Sequence, residues 1–100
     1  GLAVPGLPVN PNPAQVINLS LGSGNVCSSI EASAVAEASA RGAVVIAAAG
    51  NSAGRSAGSP ANCPGVIGVA GLRHAGSKVG FSDLGPEISI AAPGGTATHP

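Results

Sequence analysis

The chain has 100 residues, enough for one small domain, and its formal net charge is zero with only 8% charged residues. A nucleic-acid-binding protein normally carries a basic excess and stacking aromatics, but here the charges balance and Phe81 is the single aromatic residue. No apolar run approaches the roughly 18 residues that a membrane span needs, so neither nucleic acid nor a membrane is expected as a partner.

The sequence contains no methionine and opens on a proline-rich stretch that lacks the features of a signal peptide. We therefore expect an interior fragment of a longer protein. Its parts would be a proline-rich loop at 1–14, a folded core at 15–94 and a tail at 95–100. Proline fixes its own φ and cannot donate a backbone hydrogen bond, so the first segment predicts no regular structure.

Four short apolar segments predict β-strands, at residues 16–21, 43–49, 66–70 and 88–91. The second is the uninterrupted run A-V-V-I-A-A-A, which is typical of a strand buried on both faces of a sheet. A helical segment separates it from the first strand, and strand, helix and strand at this spacing form a βαβ unit. The predicted fold class is α/β, with a parallel sheet of about four strands and one main helix.

Residues 28–41 predict that helix. Ser28 and Glu31 have the spacing of a capping box, in which the hydroxyl accepts an early backbone N–H and the carboxylate reaches back to the cap. Gly42 stands where a left-handed residue commonly ends a helix. An apolar stripe that would face the sheet is expected at i, i+4 and i+8, on Ile30, Ala34 and Ala38.

The turn between the first strand and the helix offers one candidate ligand site. Its sequence L-G-S-G resembles a dinucleotide fingerprint, in which glycines let phosphates approach a helix N-terminus. The third glycine is missing because Cys27 occupies its place, and no acidic residue follows the second strand to bind a ribose. The alternative function is therefore a small nucleotide-binding βαβ module that uses residues 22–27. A purely structural interpretation is that these residues form a tight turn and bind no ligand.

Gly50 and Asn51 end the second strand and offer another candidate. The carboxyl ends of strands in an open parallel sheet form the ligand crevice, and the first strand also ends there, at Gly22. An asparagine amide can donate hydrogen bonds to an oxygen that gains negative charge. The local pattern leaves two interpretations of Asn51 open, an oxyanion donor and a turn residue.

Five motifs, in this order, resemble those of subtilisin-like serine proteases. They are V-I-N-L-S-L-G at 16–22, V-V-I-A-A-A-G-N at 44–51, C-P-G-V-I-G-V at 63–69, F-S-D-L-G at 81–85 and I-S-I-A-A-P-G at 88–94. The similarity covers about residues 15–94 and is greatest to secreted bacterial members. It implies a partial three-layer subtilisin-like fold, an extracellular location, and a parent endopeptidase that hydrolyses peptide bonds through an acyl-enzyme.

The resemblance also implies roles for individual residues. Asn51 matches the oxyanion-hole donor, and Gly58 matches the glycine at the floor of the primary specificity pocket. The strand edge that pairs with the backbone of a polypeptide substrate matches Ser20, Leu21 and Gly22. The pocket walls match Leu21, Gly22, Ala48, Ala49 and Gly50. Ser23 replaces a common glycine, which we expect to narrow the pocket mouth, and the Ser59–Pro60 bond aligns with a cis peptide bond.

The catalytic Asp, His and Ser motifs of the family are absent from this sequence. We expect those residues in the remainder of the parent catalytic domain and expect the isolated chain to be inactive. His74 is expected on a surface loop, His99 in the tail, and Asp83 as the cap of the turn in which it lies. These residues predict no metal site. The resemblance makes calcium a possible cofactor, although no ligands for it are identifiable.

The two cysteines, Cys27 and Cys63, lie far apart in the sequence and form no C-x-x-C motif, so redox catalysis and zinc binding are not expected. Cys27 begins the predicted helix and Cys63 precedes the third strand. These ends should lie on the same side of the sheet, so a disulfide between them is predicted. It would imply an oxidising compartment.

Overall fold

The computed structural model describes residues 3–95, so His99 and the tail from residue 96 lie outside the described residues. The elements within that range are β1 (Val16–Leu19), α1 (Ser29–Ala40), β2 (Val44–Ala48), β3 (Val66–Leu72) and β4 (Ile88–Pro93). The strands lie side by side in chain order, and every neighbouring pair is parallel. The predicted α/β class, with four strands and one main helix, is confirmed.

Helix α1 begins and ends as its sequence predicts. The Ser28 hydroxyl accepts the Glu31 N–H at 3.1 Å, and the Glu31 carboxylate accepts the Ser28 N–H at 3.1 Å, which completes the capping box. Gly42 follows the helix with φ +91°, the left-handed conformation that glycine adopts at least cost. An Arg41–Glu37 ion pair of 2.8 Å lies on the solvent side, where such pairs contribute about 0.3–0.5 kcal/mol.

The predicted apolar stripe of α1 was wrong at two of its three positions. Ile30 is 81% exposed and Ala34 is also exposed, whereas Val35 is buried and Ala38 packs against the core. Glu31 lies on the same side of the helix as Val35 and Ala38, and its carboxylate accepts a hydrogen bond from the buried Ser59 hydroxyl. With Glu31 turned inward, the inward positions i+4 and i+7 are Val35 and Ala38.

Helix α1, which packs on β2, and the segment that contains Ala57, Ala61 and Cys63 cover one face of the sheet, and much of the other face is open. Val45 and Ala47 of β2 are buried in the core beneath the helix, while Val44 and Ala48 are exposed. The prediction that this strand is buried on both faces was therefore wrong for the described range, in which Val44 and Ala48 on the second face of β2 remain exposed. Large apolar side chains remain exposed there, at Val16, Val44 and Ile67.

Candidate active site

A cleft of about 250 Å³ lies at the carboxyl ends of β1 and β2. The parallel register, which pairs Leu19 with Ala47, brings both strand ends to the same edge of the sheet. The cleft is lined by every residue that the sequence predicted for the site except Gly58: Ser20, Leu21, Gly22, Ala48, Ala49, Gly50 and Asn51. The fold thus brings the residues predicted at the two strand ends together around one cleft.

Asn51 lies where the chain leaves the sheet. Gly50 precedes it with φ +115°, a left-handed conformation that a side chain would strain, and this bend carries Asn51 out to the edge. The Asn51 side chain is exposed and also borders a second depression of about 500 Å³ over the open sheet face. Within residues 3–95 its amide has no hydrogen-bond partner, so both N–H groups are available to a ligand.

Asp83 is a site residue that sequence analysis missed. It is only 4% exposed, and its Oδ1 accepts the backbone N–H groups of Ser52 at 2.9 Å and Arg55 at 3.2 Å. Its own N–H donates to the Gly50 carbonyl at 2.9 Å. The expectation that Asp83 caps its own turn was therefore wrong, because the turn it caps is the loop after Asn51, about 30 residues upstream.

The segment after β1 is held from below by the segment around Ser59. The Ser23 N–H donates to the Ser59 carbonyl, and the Ser59 N–H donates to the Asn25 carbonyl, both at 2.9 Å. Gly58 lies against the backbone of Ser23 and Gly24 and is not among the residues that line the cleft. A Cβ on Gly58 would lie 1.5 Å from the Ser23 carbonyl oxygen, so only glycine permits this approach.

Two further links join the same segments. Cys27 and Cys63 form a disulfide with a Cα–Cα distance of 5.1 Å, as predicted from the sequence. Glu31 accepts the hydroxyl of Ser59, which precedes a cis bond to Pro60 as expected. The Ser59 hydroxyl first, and then the Ser28 cap, lower the pKa of Glu31 because they stabilise its charged form.

The geometry does not support nucleotide binding at residues 22–27. Of the N-terminal N–H groups of α1 that would bind a phosphate, that of Glu31 is already engaged by the Ser28 hydroxyl and that of Ala32 by the Ser28 carbonyl. The Glu31 carboxylate places negative charge at the same helix end, where it would repel a phosphate. Ser23 and Asn25 are engaged by Ser59.

The described residues contain neither a cluster of metal ligands nor a helix that could span a membrane. No group of three or more His, Cys, Asp or Glu side chains between residues 3 and 95 is arranged to bind a metal ion. His74 is exposed, as expected, in the turn after β3. The helix found in this part of the chain is too short and too polar to traverse a bilayer.

Known proteins share this sequence over most of its length. Residues 3–100 match the sequence model of the subtilase family, peptidase family S8. An extracellular protease of Xanthomonas campestris pv. campestris is 47% identical over 95 residues, which cover 94% of this chain and 16% of that protein. An extracellular basic protease of Dichelobacter nodosus is 37% identical over 92 residues, 91% of this chain and 15% of that protein.

Solved structures share the fold as well. A protease from Pseudoalteromonas arctica superimposes with a TM-score of 0.88 at 45% identity, over 94% of this chain and 28% of that one. A psychrophilic subtilisin-like protease from an Antarctic Pseudoalteromonas gives 0.75 at 31% identity, over 81% of this chain and 18% of that one. The chain thus spans less than a third of each of these relatives. Both its sequence and its fold match those of subtilases, and the chain belongs to the subtilase family of serine proteases.

Proposed function

We propose that this chain supplies the oxyanion donor and part of the substrate-binding wall of a secreted serine endopeptidase. The observation that carries the proposal is Asn51, whose unengaged amide borders a cleft at the carboxyl edge of a parallel sheet. The parent activity is supported by family membership and by relatives named as extracellular proteases. The Cys27–Cys63 disulfide agrees with secretion into an oxidising compartment.

Asn51 would act on the carbonyl oxygen of the scissile peptide bond. When the nucleophile attacks, this oxygen becomes an oxyanion in the tetrahedral intermediate that leads to the acyl-enzyme. An amide N–H held at that position donates a stronger hydrogen bond to the oxyanion than to the ground-state carbonyl. The Asn51 amide therefore lowers the barrier and does not merely bind substrate.

The segment at residues 20–22 would bind the backbone of the polypeptide substrate. It extends β1, which is the edge strand of the described sheet. No backbone hydrogen bond within residues 3–95 engages Leu21 or Gly22, so their groups are open to an added strand. Across the cleft, Ala48 and Ala49 contribute small side chains that leave room for a substrate side chain.

Gly58 would support the floor of the pocket. Its contact with the Ser23 carbonyl keeps the wall segment close against the residues that precede β3. Ser23 lines the cleft, and its hydroxyl accepts the Asn25 N–H at 3.3 Å, which keeps this short side chain on its own turn. The narrowing of the mouth by Ser23 would therefore be small.

The catalytic Asp, His and Ser would come from the remainder of the parent catalytic domain. That remainder would also cover the open sheet face, where Val16, Val44 and Ile67 expose apolar surface. A calcium site built on three or more carboxylates would lie in that remainder, since residues 3–95 gather no such cluster. The chain by itself would hold no complete triad and no peptidase activity.

The test is Asn51→Ala in the parent protease. We expect kcat to fall by about 10²–10³, a factor taken from subtilisin, itself a member of this family, with KM nearly unchanged. Steady-state hydrolysis of a chromogenic peptide measures both constants. If kcat stays at the wild-type value, or if the loss appears in KM alone, Asn51 is a turn residue and the proposal fails.

A further inference from the structure

We propose that Asp83 is a positioning residue that holds the Asn51 amide at the cleft by fixing the backbone on both sides of it. The inference rests on the proposed role of Asn51 and extends it to a residue on a different element. Asp83 lies in the connection between β3 and β4, whereas Asn51 follows β2. The two are linked by the contacts of one buried carboxylate.

Asp83 holds the Asn51 loop at three points. Before Asn51, the Gly50 carbonyl accepts the Asp83 N–H at 2.9 Å. After Asn51, the Ser52 N–H donates to Asp83 Oδ1 at 2.9 Å, and the Arg55 N–H donates to the same oxygen at 3.2 Å. Hydrogen bonds to a carboxylate are roughly twice as strong as neutral ones, and burial shields this group from competing water.

The loop after Asn51 needs these hydrogen bonds because its backbone conformation is energetically unfavourable on its own. Gly50, Ala53 and Gly54 all have positive φ, at +115°, +63° and +88°. For Ala53 this left-handed conformation costs of order 1–2 kcal/mol, since its Cβ crowds the following carbonyl. Residues 51–56 are also exposed, so packing contributes little to holding them. A loop of this kind keeps one shape only when hydrogen bonds specify it.

The remaining bonds of the loop lead to the same segment. The Ala53 N–H donates to the Phe81 carbonyl at 3.1 Å, and the Leu84 N–H donates to the Arg55 carbonyl at 2.9 Å. The fit is also close in space, because a Cβ on Gly50 would lie 2.4 Å from Asp83 Oδ2. Asp83 therefore contacts the residue that sets the direction in which Asn51 leaves the sheet.

The effect of Asp83 on catalysis depends on how far the Asn51 amide would move without it. A misplacement of about 1 Å in a catalytic group can cost on the order of 10²-fold in rate. Asp83→Ala releases the N–H groups of Ser52 and Arg55 and lets the loop relax. We expect kcat to fall about 10- to 100-fold while KM changes by less than about twofold. Asp83→Asn keeps an oxygen acceptor of the same reach and should stay within about threefold of wild type.

A double-mutant cycle in the parent protease tests whether Asp83 acts through Asn51. In the Asn51→Ala background, Asp83→Ala should lower kcat by less than about twofold further, because the donor that it positions is gone. A purely structural role would lower the melting temperature and cost kcat by the same factor in both backgrounds. Asp83→Ser, which is small and polar but too short to reach both N–H groups, repeats the test should Asp83→Ala not fold.

The outcomes separate the two proposals. Wild-type kcat in Asn51→Ala contradicts the oxyanion role itself. A large loss in Asn51→Ala with wild-type kcat in Asp83→Ala and Asp83→Ser contradicts only the positioning role. The positioning role is also contradicted if Asp83→Ala lowers kcat by the same factor in the wild-type and Asn51→Ala backgrounds. It is contradicted as well if Asp83→Asn lowers kcat as much as Asp83→Ala does. The positioning role is supported if Asp83→Ala lowers kcat but not the affinity reflected in KM. This loss must also be absent in the Asn51→Ala background, and Asp83→Asn must retain kcat.

Discussion

Removing the disulfide by the double substitution Cys27→Ser and Cys63→Ser should destabilise the parent protease by about 4 kcal/mol at 25 °C. The bond closes a loop with a sequence separation of 36. In the chain-entropy model, a loop of this length removes about 13 cal/mol/K from the unfolded state, which is about 4 kcal/mol at room temperature. Native geometry should persist, because Ser23, Ser59 and Asn25 still join the same two segments by backbone hydrogen bonds.

Urea unfolding of the inhibitor-blocked protease measures this loss, and peptide hydrolysis checks that kcat and KM stay within about threefold of wild type. Reductant supplies the matched control. It should destabilise the wild-type protein by the same amount and leave the serine variant unchanged. A loss below about 1 kcal/mol, or a wild-type protein that is insensitive to reductant after unfolding, would refute the reasoning.

Two further substitutions probe the contacts beneath the cleft. Gly58→Ala places a Cβ 1.5 Å from the Ser23 carbonyl and should cost at least about 2 kcal/mol in the free energy of unfolding. Gly24→Ala, where a Cβ meets nothing within 4 Å, is its control, and equal losses in the two variants would contradict the close approach. Glu31→Gln removes a carboxylate whose pKa in the folded protein is lowered below the ordinary 4.5. The ionised carboxylate therefore stabilises the folded protein fully above pH 4.5, and this stabilisation is lost as the pH falls through the lower folded-state pKa. The stability gap between wild type and Glu31→Gln should be full near about pH 7 and should narrow as the pH falls below 4.5, and a gap independent of pH would count against the assigned hydrogen bonds.

Local signals in the sequence were enough to predict the elements but not the orientation of the helix. The Ser28–Glu31 capping box and Gly42 predict both ends of α1, and both are found. The helix is rich in alanine on all sides, so its apolar pattern does not identify an inward face. The contacts that this face makes, such as the bond from Ser59 to Glu31, join residues 28 positions apart and leave no local trace in the sequence.

The candidate site likewise contains residues that the sequence predicts and one, Asp83, that it does not. Asn51 and the cleft residues lie at strand ends, and parallel topology alone brings strand ends together. Asp83 reaches the Asn51 loop from another connection, with partners 28 and 31 positions away. Spacing rules describe neighbours along a helix, strand or turn, so a sequence that shows one aspartate in a turn predicts only a local cap.

The uncovered face of the sheet has a consequence for how the protein folds. The chain has a radius of gyration of 15.1 Å, whereas a compact domain of 100 residues has about 13 Å. With α1 and the segment before β3 on one face and much of the other face exposed, the sheet lacks the two-sided burial that a parallel sheet requires. The sheet should therefore not behave as an autonomous folding unit. We expect it to unfold together with the layer that we propose covers it, in one cooperative transition, so that backbone amides of β2 and β3 exchange with solvent only through global opening of the parent domain.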